Sequence, residues 1–197
     1  MGKSKIIYKR KLSSFINFMS REIFNAVKLN KKKTLSLEFN YNDEVIELKV
    51  AIKRVGIDIA FDIWGSSSDE DIDMNIFIST KLFDKKNYNL LNAEIREFLR
   101  HEMEHIGQYH EVHGKEDIYG YPAATTELDY FTVPYEIDAF LHGLNYKRKY
   151  LKTNILDEIT HLLRHHYYIS DLVTFLTIQN AWITRLKIIL PHTLNND

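Results

Sequence analysis

Cysteine is absent from the 197 residues. That excludes disulfides, a thiol nucleophile and every thiolate metal site, and it suits a reducing compartment. Proline, at 3, and glycine, at 7, are scarce, which leaves little room for linkers. An excess of one charge is missing too: 26 Lys and Arg face 27 Asp and Glu, a formal net charge of -1. No global field draws nucleic acid or an anionic membrane, so neither is expected as a partner. No apolar run reaches the roughly eighteen residues that span a bilayer. No apolar core with a small-residue cleavage site follows Lys3 and Lys5, so no secretory signal is expected. Ile6 stands where the myristoylation pattern needs Ser or Thr. A cytoplasmic location is expected.

What is present is a core-forming composition, 45% hydrophobic and 13% aromatic, with 9 histidines. The length fits one domain or a domain with a small appendage. Leu12, Phe15, Ile16, Met19, Ile23, Phe24 and Val27 recur at three and four and predict a helix over about 11–29. Four period-two runs follow, around 35–41, 46–52, 57–63 and 72–78, joined by short turn signals. They predict an antiparallel meander with one buried face. Gly65-Ser66-Ser67-Ser68 before an acidic run reads as a flexible turn. Helical periods return over about 90–109, then over 134–150 with Pro134 at the first position. Two more cover about 154–168 and 171–190, the last capped by Ser170. The fold class is α+β: an N-terminal helix, a four-stranded mainly antiparallel sheet and a helical half.

The sharpest motif is His101-Glu102-Met103-Glu104-His105. On a helix the two imidazoles lie one turn apart on one face and can reach a single ion. Zinc accepts such nitrogen ligands and keeps a fourth position for water in catalytic sites. On the helical wheel Leu91, Ile95, Phe98, Ile106 and Tyr109 form an apolar stripe with Glu102 in its middle. Arg96, Glu97, Arg100, Glu104 and Gln108 form a polar face, with Glu104 directed to water. A carboxylate inside an apolar stripe costs free energy unless it is paired or faces a polar cavity.

The HExxH pattern after a small sheet, with Glu136 in the downstream Pro134-Tyr135-Glu136-Ile137-Asp138-Ala139-Phe140 segment, resembles a zincin metallopeptidase of the gluzincin, minigluzincin-like type. The resemblance covers about 11–150 and implies a zincin-like domain over 1–150, with 151–197 a C-terminal helical extension packed on it. It implies His101, His105 and Glu136 as zinc ligands and Glu102 as general base, with a protein or peptide as substrate. It also implies that a sheet edge beside the cleft, here about Ile72 to Thr80, takes the substrate backbone. A second acid after the ligand Glu has no match, since Asp138 should face away. The metzincin pattern fails, because Gln108 and Glu111 occupy the positions of its Gly and third His. Glu111 and His110 stand as alternatives to Glu136 for the third ligand. Tyr119, Tyr121, Tyr130, Tyr135 and His142 are candidates to stabilise an oxyanion.

The alternative of a different class is a non-catalytic zinc-binding structural or assembly protein with the same fold. Ile-, Asn- and Lys-rich usage suggests an AT-rich genome and a phage-encoded protein, which could be virion-associated. His161, His165 and His166 lack an intervening Glu and read as packing, with His166 in an apolar stripe. The lysines at 28–33 and 147–152 read as solvated helix ends. The last helix, with its broad apolar surface, reads first as core, with a partner or oligomer interface as the alternative.

Overall fold

The computed structural model describes residues 12–29, 33–41, 44–68, 70–112 and 126–194. Helix α1 (Leu12–Lys28) precedes strands β1 (Lys33–Tyr41), β2 (Glu44–Val55), β3 (Phe61–Ser67) and β4 (Asp71–Ser79). The helical half holds α2 (Tyr88–Val112), α3 (Glu127–Thr132), α4 (Pro134–Leu151), α5 (Ile155–His161) and α6 (Leu172–Ile189). The architecture is α+β, as the periodicities predict. No helix among the described residues is long and apolar enough to cross a membrane.

The sheet order is β1-β2-β4-β3, so the expected meander is wrong in its connectivity. β1 pairs with β2 and β3 with β4 in antiparallel fashion, but β2 and β4 run parallel, Leu48 opposite Ile72 and Val50 opposite Met74. Alternation assigns side chains to faces and is silent on strand order. What separates the two candidates is burial. Ile72, Met74, Ile76 and Ile78 of β4 are fully buried, as a central strand requires. β3 carries Asp62, Gly65 and Ser66, side chains suited to an edge. The edge strand beside the helical half is therefore β3, and the expectation for 72–80 is corrected. Gly65 to Ser67 belong to β3, not to a flexible turn.

One core joins α1, the inward face of the sheet and α2. Phe15 of α1 stacks on Phe39 of β1 with ring centroids 3.8 Å apart. The outward face is polar, with Lys49 bonded to Asp71 and Lys53 to Asn75. A second core fills the helical half around fully buried Trp182, whose indole N–H donates to Phe131 O at 2.7 Å. Short α3 was not foreseen; it carries Phe131 into this core, and Thr126 caps it. The helix expected over 154–168 ends early in a π-type turn (Leu162–His166), where Tyr167 N–H reaches back to Leu162 O. Asp171, not Ser170, caps α6 by accepting from Thr174 N–H. The apolar groups at the start of α6 are exposed, Leu172 and Val173 among them.

Candidate metal centre

Helix α2 is the spine of the site. Leu91, Ile95, Leu99, Met103 and Ile106 hold it against the sheet. Glu102 sits beside this stripe, 6% exposed. Its carboxylate is paired: Oε2 accepts a 2.7 Å hydrogen bond from Ser67 Oγ at the end of β3. β3 comes this close to α2 through Gly65, where an added Cβ would clash with the Phe98 ring and with Asp73 O.

The polar face of α2 does not face water; it packs on α4. Glu97 is 8% exposed, and Lys147 of α4 is 2% exposed, so Lys147 is no solvated helix end. Arg100 and Glu104 form a 2.6 Å pair, and His142 of α4 lies 3.7 Å from the Glu104 carboxylate. The two helices meet at Gly143. A Cβ there would stand 2.9 Å from Glu97 O and 3.5 Å from His101 Cβ. Ala139, three residues after Glu136, is buried as well, but Gly143 makes the tight contact.

This approach sets Glu136, in the first turn of α4, opposite the histidine pair. His101 Nε2 and His105 Nε2 lie 3.1 Å apart. Glu136 Oε2 lies 3.4 Å from His105 Nε2 and 3.9 Å from His101 Nε2. Among the described residues these three form the group whose donor atoms gather within 4.8 Å. A tetrahedral ion with ligands at about 2.0–2.1 Å requires donor separations of about 3.4 Å. The three observed separations bracket that value. Glu136 Oε2 is buried and makes no hydrogen bond, which costs free energy unless a cation serves it. Two imidazoles and a carboxylate are a normal zinc donor set, so the residues present fit the ion. Glu111 lies in the last turn of α2, but its side chain and that of His110 lie outside the described residues.

A further group orients His105 and the start of α4. Gln108 Oε1 lies 3.0 Å from His105 Nδ1, and Gln108 Nε2 donates to Tyr135 O at 3.0 Å. The first contact suits an Nδ1–H tautomer with Nε2 free to coordinate. The second ties the end of α2 to the residue before Glu136. Phe140 closes on His101, ring centroids 4.5 Å apart. Burial holds His101 well below the ordinary imidazole value, assisted by the neighbouring charges of His105 and Arg100, and the neutral ring is the ligand form. Burial also pulls His105 down, but the adjacent Glu136 carboxylate, with the charge of Glu102, leaves it net raised. Burial raises Glu102, and the Ser67 bond opposes the rise.

The centre opens to a cleft of about 330 Å³ lined by Gly65 to Ser68, the three donors, Glu102, Gln108 and three tyrosines, Tyr109, Tyr130 and Tyr135. Of the oxyanion candidates, Tyr130 and Tyr135 line it, His142 does not, and Tyr119 and Tyr121 lie outside the described residues. Burial, then the Glu136 charge, raises Tyr130, so its hydroxyl keeps its proton. Asp138 faces away, in a bidentate pair with Arg185 of α6 at 2.6 Å. His161, His165 and His166 are exposed, so the packing role expected for His166 is wrong. Ser67, Gln108 and Gly143 were not singled out as site residues from sequence. Only Gln108 had a readable signal, three residues from His105 on one helix face. No protein-family model matches the chain, and no curated protein or solved structure is significantly similar to it.

Proposed function

We propose that the chain is a zinc-dependent metallopeptidase of the gluzincin type, with His101, His105 and Glu136 as ligands and Glu102 as general base. The observation that carries the reading is the convergence of three donors at tetrahedral separations, one of them an orphaned buried carboxylate oxygen. A purely structural zinc site has four protein ligands as a rule. Here three converge on an open cleft, the pattern of a catalytic site.

A bound zinc ion would supply a water acidified towards a pKa of about 7 and would polarise a substrate carbonyl. Glu102 lines the same cleft, held by Ser67. It takes a proton from the attacking water and returns it to the leaving amine. Burial keeps its proton affinity above that of an exposed carboxylate, which suits a group that must accept and release a proton near neutral pH. Tyr130, with its proton retained, is placed to donate to a developing oxyanion.

The test is zinc content measured beside cleavage of a denatured protein. Wild type should carry one zinc and cleave; Glu102→Gln should keep the zinc and lose cleavage; His101→Ala and His105→Ala should lose both. Full metal content in both histidine variants would end the reading. Zinc without cleavage by wild type would favour a zinc-binding assembly protein.

A further inference from the structure

A second cleft of about 670 Å³ runs from the metal centre along α2, between β3 and the turn that ends α5. It shares Gly65, His101, Glu102 and Tyr130 with the cleft at the centre, so a chain held at one end passes into the other. Its walls are apolar and aromatic. Phe61, Ile63 and Trp64 line the strand side, and Leu162 and Tyr167 the helical side.

The charged lining is of one sign. Asp62, Glu94, Glu97 and Glu102 border the cleft, and no lysine or arginine does so among the described residues. Asp62 is engaged at the rim by the Trp64 indole. Glu94 and Glu97 lie deeper, with Lys147 behind them. Lys147 Nζ is 2.7 Å from Glu94, 3.0 Å from Glu97 and 3.3 Å from Glu158. One ammonium therefore serves three carboxylates. Glu97, 8% exposed as a residue, meets that shared ammonium through Oε2. A second cation entering the cleft would balance Glu94 and displace the proton that burial and Glu94 otherwise hold on Glu97. His161, His165 and His166 also border it.

We propose that this cleft is the subsite for a lysine or arginine side chain of the substrate. The long apolar stem lies between the aromatic walls, and the charged head reaches Glu94 and Glu97. The inference rests on the peptidase reading of the adjoining centre and adds the chemical class that the centre takes. An apolar side chain would fill the walls and leave the acidic end unmatched. An acidic one would meet like charge.

The experiment uses the full chain carrying Glu102→Gln, loaded with zinc, at pH 8. The probes are fluorescein-labelled polyalanine heptapeptides with one position scanned through Lys, Arg, norleucine and Glu. At one position Lys or Arg should bind about tenfold tighter than norleucine, the effect of one charge-assisted contact, and Glu weaker than both. Adding Glu94→Gln or Glu97→Gln should cut that preference to about threefold or less while norleucine binding stays unchanged. Glu94, a quarter exposed, carries the test if the Glu97 variant does not fold. Equal binding of lysine and norleucine at every position, binding of no peptide, or a preference that survives the Glu94 substitution would overturn the proposal. Failure of the peptidase reading shows separately, as a wild-type protein that cleaves nothing while the cationic preference in binding persists.

Discussion

Replacing Gln108 by alanine should weaken zinc binding without removing a ligand. The substitution deletes two contacts of 3.0 Å, one to His105 Nδ1 and one to Tyr135 O. At about 1 kcal/mol net for each part-buried hydrogen bond, the pair is worth about 2 kcal/mol. If both are made only in the metal-competent arrangement, zinc affinity falls roughly 30-fold, inside the range of about 10- to 100-fold for groups that orient metal ligands. Gln108→Glu separates the contacts, since a carboxylate can still accept from His105 Nδ1 but cannot donate to Tyr135 O. It should recover part of the loss. The assay is competition with a chromogenic chelator, alongside melting of the metal-free proteins to show that the fold is intact. An alanine variant within about twofold of wild type, in a protein whose His105→Ala form has lost zinc, would refute the reasoning.

Glu136→Ala should cost more zinc affinity than any Gln108 variant, and Glu111→Ala little; the reverse order would move the third ligand to α2. Gly143→Ala should destabilise by about 1–3 kcal/mol, because its Cβ meets the Glu97 carbonyl at 2.9 Å. For a chain of this size that lowers Tm by about 2–4 °C per kcal/mol, and an unchanged Tm would contradict the close approach of α4. Burial, then the charge of Glu94, pushes Glu97 up to about 8 from 4.5. The folded state thus holds a proton that the unfolded chain releases, so this group makes stability fall as pH rises through that window. Glu97→Gln should flatten the slope in urea titrations across it, and an unaltered slope would show that Glu97 is not the source.

The helices and the faces of the strands were legible because periodicity reports directly on one-sided burial. α1 and α4 fall within a residue or two of their expected ends, since an apolar stripe and Pro134 mark them. Strand order was not legible. β3 and β4 carry the same alternation, and only the fully apolar inward face of β4 against the Asp62, Gly65 and Ser66 of β3 shows which is central. The His pair and Glu102 were legible from spacing within one helix. Glu136 was suggested through a resemblance, because no local rule links Glu136 to a histidine pair at 101 and 105. Ser67 had no signal, since its role exists only once β3 lies along α2.

The polar face of α2 was misassigned for a reason that bears on the site. A helical wheel sends charges to water because it cannot see a partner with matching charges. α4 is that partner, and it runs antiparallel to α2. Gln108 meets Tyr135 at one end, Glu104 meets His142 in the middle, and Glu94 and Glu97 meet Lys147 at the other end. A slide of α4 by one residue moves every group about 1.5 Å and a rotation by one residue turns it about 100°. Either change breaks all three ties together. Apolar packing alone tolerates such shifts better, since it is not directional. The cost of burying Lys147 and Glu97 is therefore spent on register between the two helices. Register is what the cluster needs: Glu136 reaches the histidine pair only from one turn of α4, at 3.4 Å from His105 Nε2, and a slip of one residue takes its carboxylate away from both imidazoles.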